Sequence, residues 1–102
     1  MQLVQIFLPI YDNQGNVFPQ ALYNQMKKEL TERFGGITAY SRAPATGLWK
    51  ENNDKTVRDE IIIYEVMVEN LERNWWREYK ESSKKNFQQE EIIIRAWEVE
   101  VL

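Results

Sequence analysis

With 102 residues, 43% of them hydrophobic and 28% charged, the chain suits one domain, spanning 1–102, with a core of its own. Thirteen Lys+Arg against sixteen Asp+Glu leave a formal charge of −3, which argues against a phosphate-backbone partner. Cys and His are both absent, which excludes disulfides, thiolate nucleophiles, imidazole bases, Cys/His zinc sites and His- or Cys-ligated haem, so no cofactor is expected.

The N-terminal run MQLVQIFLPIY lacks the basic flank and small-residue cleavage site of a signal peptide, and it is too short to cross a bilayer. It reads as a strand from Gln2 to Ile10 in a cytoplasmic protein, with no membrane partner expected. The turn-forming sequence Asp12 to Asn16 ends it. Pro19 then suits the first turn of a helix, and Leu22, Met26, Leu30 and Phe34 recur every four residues as its apolar stripe. Gly35-Gly36 supplies the left-handed stop.

A short strand is expected over Ile37 to Arg42, followed by a loop, APATGLWKENNDKT, with Trp49 in it. The run from about Val57 to Val68 holds Ile61-Ile62-Ile63-Tyr64, apolar on both faces, and predicts a central strand. Asn70 can N-cap a second helix bearing Leu71, Trp75, Tyr79 and Phe87, with Trp76 beside the stripe and Glu81 and Lys85 on the solvent side. A last strand is expected from Glu91 to Val101. The order β-α-β-β-α-β predicts a ferredoxin-like α+β sandwich: a four-stranded antiparallel sheet with both helices on one face.

Strand alternation assigns the two faces. A charge is not expected centrally under the helices, so Glu65 and Arg95 should point away. Val4, Ile6, Leu8, Ile62, Tyr64, Val66, Ile92, Ile94 and Ala96 then lie beneath them. The open face carries Gln5, Phe7, Tyr40, Arg42, Ile61, Ile63, Glu65, Ile93, Arg95 and Trp97. Such a surface is too apolar to stay wet and too polar for a plain core.

This element order and mixed face resemble the dimeric α+β barrel group, in which two ferredoxin-like sheets pack face to face. Within it, Phe34-Gly35, Gly47-Leu48-Trp49 and Phe87-Gln88-Gln89-Glu90 are similar to motifs of an uncharacterised family of small bacterial proteins. The resemblance covers most of the chain and implies a fold and a homodimer, with no activity attached. Barrel relatives that degrade haem or oxidise quinol-type substrates rely on His, which this chain lacks.

One chemical constellation stands out. Arg95 is a candidate anchor for a carboxylate or enolate oxygen, with Glu65 and Tyr40 as candidate proton-transfer groups and Arg42, Gln5, Trp97 and Trp49 as further ligand-binding candidates. The competing reading is an Arg95–Glu65 ion pair that neutralises charge inside a dimer interface formed by Phe7, Ile61, Ile63, Ile93 and Trp97. Trp75-Trp76 is expected to be core plus one half-exposed ring. Asp59-Glu60 and Glu90-Glu91 alternate faces, so neither makes a metal site alone.

Two functional classes follow. The leading one is a homodimeric barrel that binds a small organic molecule, acids included, between the sheets, with cofactor-free catalysis left open. The alternative is a non-catalytic structural or regulatory module with a filled interface. RNA binding is disfavoured by the acidic balance and the lack of an RNP-type run.

Overall fold

The structure, a computed structural model, describes residues 1–52 and 55–102, with side chains described over 1–40 and 60–102. Six elements follow in chain order: β1 (Gln2–Pro9), α1 (Gln20–Phe34), β2 (Thr38–Asn52), β3 (Lys55–Val68), α2 (Arg73–Asn86) and β4 (Ile94–Glu98). The strands form one antiparallel sheet in the order β2-β3-β1-β4. With both helices on one face, this is the ferredoxin-like α+β arrangement.

The core lies between that face and the helices. Val4, Ile6 and Leu8 of β1 and Tyr64, Val66 and Val68 of β3 alternate into it, meeting Tyr23, Met26 and Leu30 of α1 and Trp76 of α2. Phe18, Tyr23 and Phe87 close one end, with Phe87 lying 5.2 Å from Phe18 and 5.3 Å from Tyr23 between ring centroids. Tyr23 donates its hydroxyl hydrogen to the Pro9 carbonyl at 2.5 Å, so its buried polar atom is satisfied. Burial pushes the Tyr23 and Tyr64 hydroxyls up to about 12, Tyr64 also feeling Tyr23.

Helix α1 follows Pro19 and ends at Gly35, whose φ of 86° is left-handed and whose N–H donates to the Thr31 carbonyl at 2.8 Å. Its buried residues include Tyr23, which the fourfold stripe omitted, while Leu22 and Phe34 are half-buried.

Several expectations need correction. The loop expected after Arg42 is a hairpin: β2 continues to Asn52 and pairs with Lys55 onward, so the backbone of Trp49 lies opposite Val57. Backbone pairing overrides the turn-forming composition. The register shift between Tyr40 and Ala45 falls where Pro44 has no N–H to give. Asn70 does not cap α2. Glu72 precedes its first residue without a side-chain bond, and the Trp76 N–H reaches the Glu72 carbonyl at 3.1 Å.

Strand β4 is shorter than expected because Gln88, with φ 51°, turns the chain and Ile92 is buried outside the ladder. The backbone bonds from the Phe7 N–H to the Ile93 carbonyl (3.0 Å) and from the Val99 N–H to the Met1 carbonyl (2.9 Å) bracket it. Ala96 is exposed rather than covered, since β4 is the sheet edge and the helices do not screen it. Trp76 is the buried ring of α2, stacked on Phe34 at 5.3 Å, and Trp75 is the half-exposed one. Glu81 pairs with Lys84 at 3.3 Å, not with Lys85.

Candidate functional site

The face away from the helices carries the candidate site. Its layout follows from register. Gln5 stands opposite Glu65 of β3 on one side and opposite Arg95 of β4 on the other. Because all three share the outward parity of their strands, they make one row across the sheet. On one side of it Phe7 stands opposite Ile63, which stands opposite Tyr40. On the other side Leu3 stands opposite Met67 and Trp97. A polar row therefore runs between two rows of apolar and aromatic side chains.

The polar row is joined by hydrogen bonds. Gln5 Nε2 donates to Glu65 Oε1 at 2.5 Å, and Arg95 Nε donates to Gln5 Oε1 at 3.0 Å. Tyr40 reaches in from the neighbouring row, its hydroxyl donating to Glu65 Oε2 at 3.3 Å. The direct Arg95–Glu65 ion pair considered from sequence is thus replaced by a bridge through Gln5, because the strand holding Gln5 lies between the two. The charge of Glu65, helped by partial burial and the hydrogen bond, holds the Tyr40 hydroxyl above its ordinary value and keeps it a donor. The Arg95 guanidinium lies 4.7 Å from the Phe7 ring centroid and 5.6 Å from that of Trp97, a cation–π arrangement on both.

This surface is apolar for something left open. Tyr40 is 48% exposed, Met67 53%, Ile93 51% and Trp97 40%. Of the residues expected here, the structure brings together Gln5, Phe7, Tyr40, Ile63, Glu65, Arg95 and Trp97, with Ile61 on β3 and Ile93 just before β4. The side chains of Arg42 and Trp49 lie outside the described residues. Leu3 and Met67 join the face unannounced, although the alternation that placed Gln5 and Glu65 reaches them two residues further out.

The second aromatic group is packing. Trp75 and Trp76 meet edge-to-face at 4.8 Å, Trp75 stacks on Tyr79 at 4.8 Å, and the Arg33 guanidinium sits 4.3 Å from the Trp75 ring centroid while pairing with Glu72. Among the described residues, no group of three acidic, His or Cys side chains is placed to hold a metal ion, and no helix is long and apolar enough to cross a membrane.

Comparison with known proteins supports the fold. No protein-family model and no curated sequence matches the chain. Among solved structures, a phage SAM lyase in complex with S-methyl-5'-thioadenosine is similar at TM-score 0.60 and 14% identity, covering 95% of this chain and 80% of that one. The divalent cation tolerance protein (Cut A1) from Thermus thermophilus is similar at TM-score 0.60 and 16% identity, covering 97% and 84%. CutA1 from Pyrococcus horikoshii gives TM-score 0.58 at 13% identity, covering 100% and 86%.

Proposed function

We propose that the chain self-associates through its open sheet face, most simply as the homodimeric α+β barrel, and that the enclosed polar row binds a small organic molecule. The observation that carries this reading is the row itself: hydrogen-bonded Tyr40, Glu65, Gln5 and Arg95 set between flanking apolar rows on an uncovered face. Apolar rows supply the association energy, since full burial of a large side chain is worth about 1.5–3 kcal/mol, less the cost of immobilising two bodies. Polar groups inside such an interface select what is enclosed.

Arg95 is the anchor in this reading, Tyr40 and Glu65 are the groups able to pass a proton, and Gln5 and Trp97 line the space. Arg42 and Trp49 are proposed as further contributors from the β2 strand. That the phage SAM lyase is seen with S-methyl-5'-thioadenosine supports the capacity of this fold to carry a small organic ligand. The reading places the protein in the cytoplasm and beside the small bacterial proteins whose motifs it resembles.

A second reading has its own support. Because Glu65 already accepts from Gln5 and Tyr40, the row satisfies much of its own polarity and suits a filled, non-catalytic interface. A thermal-shift screen of small organic molecules separates the two. A ligand site gives stabilising compounds for the assembled protein that lose their effect on a soluble Ile63→Asp monomer, and a filled interface gives none.

A further inference from the structure

We infer that the ligand taken by this face is a carboxylate on an apolar body, held by the outer edge of the Arg95 guanidinium. The inference rests on the open face being the binding surface proposed above. Arg95 is already oriented: its Nε is committed to Gln5 at 3.0 Å, and the Phe7 and Trp97 rings lie 4.7 and 5.6 Å from its central carbon. The two terminal nitrogens remain, and they form the planar fork that matches a carboxylate with two parallel hydrogen bonds.

The carboxylate in the row is occupied, and the other carboxylate of β4, Glu98, has the opposite parity and its own partners. Glu65 accepts from Gln5 and Tyr40, while Glu98 accepts from the Met1 ammonium at 2.9 Å and from Gln2 at 2.6 Å. Among the described residues, Arg95 therefore has no carboxylate partner of its own, and covering the face would enclose an unpaired cation. Such burial is costly unless an anion accompanies it.

The surroundings select which anion. Trp97 of β4 and Ile93, just before that strand, flank Arg95 two residues away on the same side, and Leu3 and Phe7 flank Gln5 on β1. A strongly hydrated inorganic anion would gain the fork but lose its water to this apolar surround without gaining contacts from the flanks. A carboxylate carrying a hydrocarbon chain or ring satisfies both the fork and the flanks.

Isothermal titration of the intact protein with octanoate, octanol, acetate and inorganic phosphate tests this, with light scattering run on the same samples. The expected result is octanoate binding, with octanol, acetate and phosphate each at least about tenfold weaker, the factor lost with one charge-assisted hydrogen bond. Arg95→Gln should weaken octanoate by at least about tenfold, leave octanol unchanged and leave the molecular mass unchanged. Arg95→Lys keeps the charge, loses the fork, and should be weakened by about tenfold, which preserves the test should Arg95→Gln not fold.

Absent octanoate binding, equal binding of octanol or of phosphate, or a change of mass in Arg95→Gln would each overturn the inference. The last would mean that a second copy's carboxylate occupies the fork. Arg95-dependent octanoate binding by a protein that stays monomeric would uphold this inference while removing the proposed assembly.

Discussion

Gln5 bridges Glu65 through a single amide that also serves Arg95: its nitrogen donates to the carboxylate at 2.5 Å while its oxygen accepts from the guanidinium at 3.0 Å. The two charges fix which way the amide points, and the amide in turn holds both charged side chains on the open face. Removing it breaks both bonds at once. Gln5→Leu should lower stability by about 0.5–1.5 kcal/mol, the net range for hydrogen bonds at a half-buried position. Gln25→Leu removes only an exposed bond to Glu29 and should stay within about 0.5 kcal/mol. Urea unfolding of the three proteins measures both, and equal losses would contradict the bridging role.

Gly35 ends α1 with φ 86°, and a Cβ built there meets nothing within 4 Å, so the cost of a side chain is backbone strain alone. Gly35→Ala should destabilise by about 1–2 kcal/mol, the left-handed penalty for a residue with a Cβ. Gly36 has no positive φ and equal space, so Gly36→Ala should be neutral or mildly stabilising. Thermal unfolding of the pair decides it, with equal shifts contradicting the cap.

The pH response should be alkaline. Tyr23 and Tyr64 are buried with hydroxyls pushed up to about 12 from the ordinary 10.0. The folded state therefore holds protons that the unfolded chain releases, so their contribution is fully present below about pH 10 and is lost as pH rises towards 12. With no imidazole in the chain, stability should vary little between about pH 6 and 9. Melting temperatures across pH 6 to 12 check this, and Tyr23→Phe should flatten the decline. A main transition near neutrality would contradict it.

Ile63 lies mid-face between Phe7 and Tyr40, in the apolar row next to Gln5. Ile63→Asp should give monomers or unfolded protein by placing a charge where another copy is proposed to pack. Lys28→Asp, on the exposed side of α1, should change neither fold nor mass. Sedimentation velocity on both variants is the check.

Much of the fold is legible in the sequence. The element order, the Gly35 stop, and the parity that sends Val4, Ile6 and Leu8 inward and Gln5 and Phe7 outward follow from side-chain type and period alone. The hairpin was not legible, because the run containing Pro44, Gly47, Asn52 and Asn53 has turn-forming composition while strand pairing there uses backbone groups that composition does not report. The Gln5 bridge was hidden for a different reason. Parity places Glu65 and Arg95 on one face, but only the strand order, with β1 between β3 and β4, puts Gln5 between them. Trp76 rather than Trp75 faces inward because the buried side of α2 runs through Trp76 and Ser83, a spacing of seven that the polar Ser83 conceals in the apolar pattern.

The central claim is that another copy covers the open face, and light scattering coupled to size-exclusion chromatography of the unmodified protein at micromolar concentration tests it most directly. The predicted result is a mass of at least twice the 12.3 kDa of one chain, with twice expected for the simplest closed assembly. A well-folded species of 12.3 kDa at every accessible concentration would contradict it.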